Sequence, residues 1–142
     1  MDIFKKLGEL NFPKGEYVVA GGTMFAYGMR EAHDLDILVT PRLYNQLLDE
    51  GWIKCVCAQC TKTDRFMLKK DDVDILPDFT FGNYVGDVNW LIANADIIQE
   101  YPFMNLIEFM KLKIELGRPK DIVDVEIIKK YLNGTEQSIV KE

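Results

Sequence analysis

The chain has 142 residues, 48% of them apolar and 28% charged, which is the make-up of an ordinary soluble globular protein with enough residues for a sizeable core. Its net charge of −6 works against passive attachment to nucleic acid or to an anionic membrane. No apolar run approaches the roughly 18 residues that would cross a bilayer.

The first ten residues, MDIFKKLGEL, lack a contiguous apolar stretch; no secretory signal is expected, and the cytoplasm is the expected compartment. Residues 3–10 suit a short helix with Ile3, Leu7 and Leu10 on one face, broken by Pro13 and Gly15. EYVVA (16–20) reads as a buried strand stopped by Gly21-Gly22, and a short apolar helix starts at Thr23. DLDILV (34–39) is a second strand. Thr40-Pro41 opens a helix that carries Leu43, Leu47 and Leu48 and stops at Gly51. Residues 52–79 suggest a meander of WIKCVC, RFMLKK and DVDIL, with a hairpin through QCTKTD and a tight turn near Lys70-Asp71. A helix is expected over 88–99. Another is expected over 105–116, with Leu106, Phe109, Met110 and Ile114 facing the core. Gly117-Arg118-Pro119 breaks it, a last helix stops near Gly134, and the final eight residues are expected to fray. Residues 101–142 carry seven basic and seven acidic side chains, against ten and sixteen in residues 1–100. A phosphate-bearing ligand would therefore find its counter-charges more easily in the C-terminal third.

Asp34 and Asp36 interrupt a run that otherwise asks for burial. In a strand, residues i and i+2 share a face about 6.5–7 Å apart, so Leu35 and Ile37 turn into the core and the two carboxylates stand together. Side by side they repel unless a cation neutralises them, and hard oxygen donors on a rigid element suit Mg²⁺. Gly21-Gly22, ending the preceding strand at a helix start, lets backbone N–H groups approach an anion closely. A third carboxylate would complete a site for two metals about 3.5–4 Å apart. Asp74 offers it, with Asp72 two residues earlier as the other candidate.

GGTMFAYGMREAHDLDILV (21–39) resembles the signature of the nucleotidyltransferase superfamily, a Gly-Gly or Gly-Ser turn followed by a D-x-D strand. It is most similar to small bacterial and archaeal members related to the toxin of abortive-infection toxin–antitoxin systems. Gly21, Gly22, Gly28, Arg30, Asp34 and Asp36 match in order. FMKLKIELGRPKDIVDVEII (109–128) is similar to a second recurrent stretch, through Lys111, Arg118, Lys120, Asp121 and Asp124. The resemblance spans residues 16–132 and touches the middle of the chain only through Asp74. It implies a single α/β (α+β) domain of nucleotidyltransferase fold, a mixed sheet flanked by helices with a helical C-terminal part. The activity implied is transfer of an NMP from an NTP to an acceptor, with release of pyrophosphate. Asp34, Asp36 and Asp74 would be the catalytic, Mg²⁺-holding residues, with two ions when NTP is bound. Gly21, Gly22, Thr23, Arg30 and Lys111 would contact the nucleotide.

Several residues admit plainer roles. Gly28 suits close helix packing, Arg30 could pair with a carboxylate instead of phosphate, and His33 suits an exposed strand start. Lys111 and Lys113 could be solvated, and Arg118, Lys120, Asp121 and Asp124 could form a salt-bridged helix junction. Cys55, Cys57 and Cys60 either bind a soft metal or pack as small thiols on a strand. The acceptor could be a protein, an RNA end or a small molecule. So short a chain has little room for a separate acceptor domain, which suggests a homodimer or a partner protein. The alternative reading is a catalytically silent nucleotide-binding or interaction module, such as a toxin–antitoxin component.

Overall fold

The computed structural model describes residues 1–141, with side chains except those of Phe79, Phe81 and 135–141. Helix α1 (Ile3–Leu10) is capped by the Asp2 carboxylate and stopped by Asn11 in the left-handed region. Strand β1 (Tyr17–Val19), helix α2 (Thr23–Ala26) and strand β2 (Leu35–Val39) follow. Helix α3 (Pro41–Asp49) starts as its sequence asks, with the Thr40 hydroxyl accepting from the Leu43 N–H and proline in the first turn. Next come β3 (Ile53–Lys54), α4 (Ala58–Thr63), β4 (Leu68–Lys70) and β5 (Val73–Leu76). The hairpin β6 (Phe79–Phe81) and β7 (Tyr84–Gly86) precedes α5 (Val88–Ala93), β8 (Asp96–Ile98) and β9 (Tyr101–Phe103). The chain ends in α6 (Leu106–Leu116) and α7 (Pro119–Lys141).

Seven strands form one mixed sheet in the order β3-β4-β5-β2-β1-β9-β8, and β6-β7 stands apart as a two-stranded sheet. β1 runs antiparallel to β2, and β2 runs parallel to β5. The end of β1 therefore lies beside the starts of β2 and β5. The protein is a mixed α/β structure with a helical C-terminal part. No helix among the described residues is long and apolar enough to cross a membrane.

Strand alternation splits the core in two. Val19, Leu35, Ile37, Val39, Val73 and Ile75 pack with Ile3, Leu7, Leu43 and Leu47 on the α1/α3 side. Val18, Leu38 and Leu76 pack with Val88, Leu91, Phe109, Leu112 and Ile128 on the α5/α6/α7 side. Because side chains alternate with a period of two, Asp36 and Asp74 belong to the second face. They point towards the α6–α7 junction.

Five sequence expectations are corrected. The hairpin through QCTKTD is the short helix α4, ended by Asp64 at φ 55°; this polar stretch has no apolar alternation with which to extend a ladder. The strand before it shrinks to exposed Ile53–Lys54 at the sheet edge. The helix over 88–99 stops at Ala93, after which β8 and β9 pair about Gln99 and Glu100. Both turn residues have positive φ, 49° and 76°, the backbone of a tight hairpin made here without the usual Asn-Gly. The last helix continues through Gly134 to Lys141. In α6, finally, Ile114 is 54% exposed while Leu112 is buried. The inward stripe follows Leu106, Phe109 and Leu112, and Lys113 lies in the seam with α7, where it meets buried carboxylates.

Candidate active site

Asp36 stands directly opposite Asp74 across the parallel pair β2–β5. Parallel register places the two side chains on the same face of neighbouring strands, a juxtaposition that sequence spacing alone does not specify. Asp34, just before β2, joins them in lining one cleft of about 780 Å³. Its other walls come from Gly21 and Gly22, from Arg30 to His33, and from Lys113, Arg118, Lys120 and Asp124 at the α6–α7 junction. Asp72 lies outside this lining and forms a 3.7 Å ion pair with Lys6. Of the two candidates for the third carboxylate, Asp74 is the one that shares the cleft.

Gly21 is small because Asp36 is there. A Cβ on Gly21 would stand 2.7 Å from the Asp36 Cγ and 2.9 Å from its Cβ, well inside van der Waals contact. The two backbones are also bonded, Asp36 N–H donating to Gly21 C=O at 3.0 Å and Ala20 N–H to Asp36 C=O at 2.9 Å. Gly22 has φ 127°, a conformation open to glycine. The β1 ladder thus runs straight into the glycine turn and holds it against the aspartate strand.

The electrostatics follow from this crowding. Burial, then the neighbouring charges of Asp34 and Asp74, push the Asp36 carboxyl up to about 7, while Lys113 and Lys69 pull it down without prevailing. A buried carboxyl that resists ionisation beside two further carboxylates is a donor set that a divalent cation relieves. Lys69, on β4 and in register with Asp74, donates to the Asp74 carboxylate at 3.0 Å. Sequence spacing does not place Lys69 there, because the contact depends on the register of the β4–β5 pair.

The cations opposite are organised rather than loose. Arg30 binds Asp124 through two nitrogens, at 3.1 and 3.0 Å. Lys113, 11% exposed, bridges Asp121 at 3.1 Å and Asp124 at 3.0 Å. Arg118 reaches Asp121 through Nε at 2.5 Å and Nη2 at 3.2 Å, and Asp121 also accepts from the Arg118 backbone N–H. Burial draws the Asp121 carboxyl upward, but hydrogen bonds from Arg118 and Lys113 outweigh it and hold Asp121 below its ordinary value. Two buried acids hold three cations at the edge of the cleft, so the network presents an excess of positive charge opposite the aspartate cluster.

Gly21, Gly22, Arg30, Asp34, Asp36 and Asp74 are therefore brought together, with His33 beside them. Thr23 and Lys111 are not. The Thr23 side chain is buried, and its hydroxyl donates to the Ala20 carbonyl at 2.7 Å, closing the turn. Lys111 is more than half exposed, pairs with Glu108 at 2.9 Å and lies outside the cleft. The helix lysine that faces the carboxylates is Lys113. A helix start also contributes little, because α2 is a single turn of four residues and its dipole is correspondingly small. The three cysteines lie outside this cleft. No protein-family model matches the chain, and no curated protein matches it.

Proposed function

We propose that the protein is an Mg²⁺-dependent nucleotidyltransferase of nucleotidyltransferase fold, using an NTP and an acceptor hydroxyl or similar group. The observation that carries this reading is the convergence of Asp34, Asp36 and Asp74 with the Gly21-Gly22 turn in one cleft, faced by Arg30, Lys113, Arg118 and Lys120. The cleft volume falls within the roughly 300–1,000 Å³ usual for small-molecule sites. The resemblance of residues 21–39 to the superfamily signature supports the same conclusion.

Asp34, Asp36 and Asp74 would hold the metal, whose positive charge would neutralise the triphosphate and favour attack at the α-phosphorus. The Gly21-Gly22 backbone would lie against the phosphates, close because neither residue has a Cβ. Lys113, Arg118 and Lys120 would offset the charge that collects on the departing pyrophosphate. In the reaction the acceptor oxygen bonds to the α-phosphorus, the bond from that phosphorus to the β-phosphate bridge breaks, and pyrophosphate leaves. Asp74 would accept the acceptor's proton. The acceptor is a protein, an RNA end or a small molecule, bound at an interface with a second copy or a partner.

The test is calorimetric titration of each NTP, with and without Mg²⁺, into the wild type and the Asp34→Asn/Asp36→Asn variant. Binding that needs the metal and both aspartates is expected; absence of binding to the wild type overturns the proposal. One observation favours a second reading, a silent nucleotide-binding or contact module. Lys69, Arg30, Lys113 and Arg118 are all already paired with carboxylates. That reading predicts nucleotide binding with no pyrophosphate release in the presence of any acceptor.

A further inference from the structure

The three cysteines of KCVCAQC converge although they sit on different local elements. Cys55 follows β3, Cys57 stands at the cap position of α4, and Cys60 lies within that helix. Their sulfur atoms all lie within 4.8 Å of one another, and all three are free thiols. The arc is held at both ends. Cys55 N–H donates to the Met67 carbonyl at 2.8 Å, and Arg65 N–H donates to the Cys60 carbonyl at 3.3 Å. So the C-x-C-x-x-C loop is folded back onto the approach to β4 before any ligand arrives.

Packing does not account for the cluster. A cysteine that serves as a small hydrophobe is buried, yet Cys57 is exposed and Cys55 only half-buried, with Cys60 alone in the core. Three thiolates around a tetrahedral ion, with bonds of about 2.3 Å, stand roughly 3.8 Å apart. The observed sulfurs, all within 4.8 Å of one another, stand no more than about 1 Å beyond that spacing. Among the described residues no His, Asp, Glu or further Cys joins the group. The donor set is therefore three sulfurs, with any fourth position left to solvent on the exposed Cys57 side. Soft sulfur donors without oxygen select thiophilic cations and discriminate against Mg²⁺.

We propose that Cys55, Cys57 and Cys60 form a binding site for one thiophilic d¹⁰ cation, Zn²⁺ or Cu⁺, separate from the carboxylate cleft. The ion would clamp the β3–α4–β4 connection, a segment whose flanking strand β3 has only two residues. Met67 lines the cleft and Lys69 pairs with Asp74, so the clamp steadies the strand that borders the carboxylates. The inference stands independently of the nucleotidyl-transfer reading.

The test uses the full chain, reduced and freed of metal, loaded with Zn²⁺ in one arm and with Cu⁺ under anaerobic conditions in the other. Ions per chain are counted after desalting, and Co²⁺ loading is checked for sulfur-to-metal charge-transfer absorption. One ion per chain is expected, the retained metal showing which cation the site takes. A rise in melting temperature should accompany loading. Cys57→Ser, at an exposed position that cannot disturb the core, and Cys55→Ser should each weaken binding by roughly tenfold or more. Asp36→Asn should leave it unchanged, which separates this site from the cleft. Retention of neither ion, or equal retention in Cys57→Ser, overturns the proposal.

Discussion

Asp36 lies directly across the β2–β5 ladder from Asp74, and its side chain fills the space that a Cβ on Gly21 would need. The same carboxylate is thus crowded by a like charge on one side and by a backbone on the other. The chain tolerates this only because Gly21 gives way and Lys69 and Lys113 supply partial compensation.

The crowding makes a prediction about stability in the absence of metal. A carboxyl raised from 3.8 to about 7 by burial and by Asp34 and Asp74 binds its proton more tightly folded than unfolded. Its contribution to stability is therefore favourable at low pH and declines as pH rises from about 4 to 7. Asp36→Asn removes that loss. The variant should be more stable than wild type at pH 8 by about 1–3 kcal/mol, below the roughly 4 kcal/mol of the full shift because Asp36 keeps some contact with water. Urea midpoints at pH 5 and pH 8 in chelator check it; a variant less stable at pH 8 would show that Asp36 is not strained.

Gly21→Ala should do the opposite of a neutral surface change. The added methyl meets Asp36 at 2.7 and 2.9 Å, and the neighbour cannot retreat far because its backbone is laddered on both sides. A loss of about 1–3 kcal/mol is expected, as for overpacking elsewhere, together with weakened Mg²⁺-dependent NTP binding. Chemical denaturation and calorimetry on the same variant read both effects, and an unperturbed Gly21→Ala protein would refute the close approach.

Asp121 carries the α6–α7 junction. It is fully buried and accepts from Lys113 and Arg118, so Asp121→Ala leaves Lys113 with Asp124 alone and the half-exposed Arg118 without its carboxylate, and should cost about 2–3 kcal/mol. Its carboxyl is held below the ordinary value despite burial, through those hydrogen bonds. The stabilisation is accordingly present above about pH 4 and lost as pH falls through the lower folded-state value. Acid titration followed by circular dichroism should show a steep low-pH limb in the wild type that flattens in the variant.

The two lysines of α6 separate cleanly. Lys111→Ala removes an exposed pair with Glu108 and should change stability by less than about 0.5 kcal/mol, with NTP binding intact. Lys113→Met uncouples buried Asp121 and Asp124 and should cost about 3–5 kcal/mol. Equal effects of the two substitutions, measured by thermal unfolding, would contradict the placement of Lys113 in the seam.

Much of this was legible locally. Thr40-Pro41 marks a helix start by the chemistry of one hydroxyl and one missing N–H, and the structure opens α3 there. The alternation of Asp34, Leu35, Asp36 and Ile37 separates carboxylates from core, and Leu35 and Ile37 are fully buried on the opposite face. Signals of this kind depend on residues within a turn or a strand of each other, and no distant partner is needed to read them.

What the sequence by itself determined was the run of elements from α1 to α3, the strands β4 and β5, the two C-terminal helices, and the presence of a glycine turn next to a D-x-D strand. Only the tertiary structure decided that Asp74, not Asp72, completes the cluster, because that depends on the register of β2 against β5. It also turned Lys113 inward and Ile114 outward, against the apolar pattern, because the buried Asp121 and Asp124 need a cation more than the seam needs another methyl group. And it folded KCVCAQC into a helix-bound cluster of thiols instead of a strand. In each case a contact between residues distant in sequence, or across a ladder, outweighed the local preference, and periodicity contains no term for such contacts.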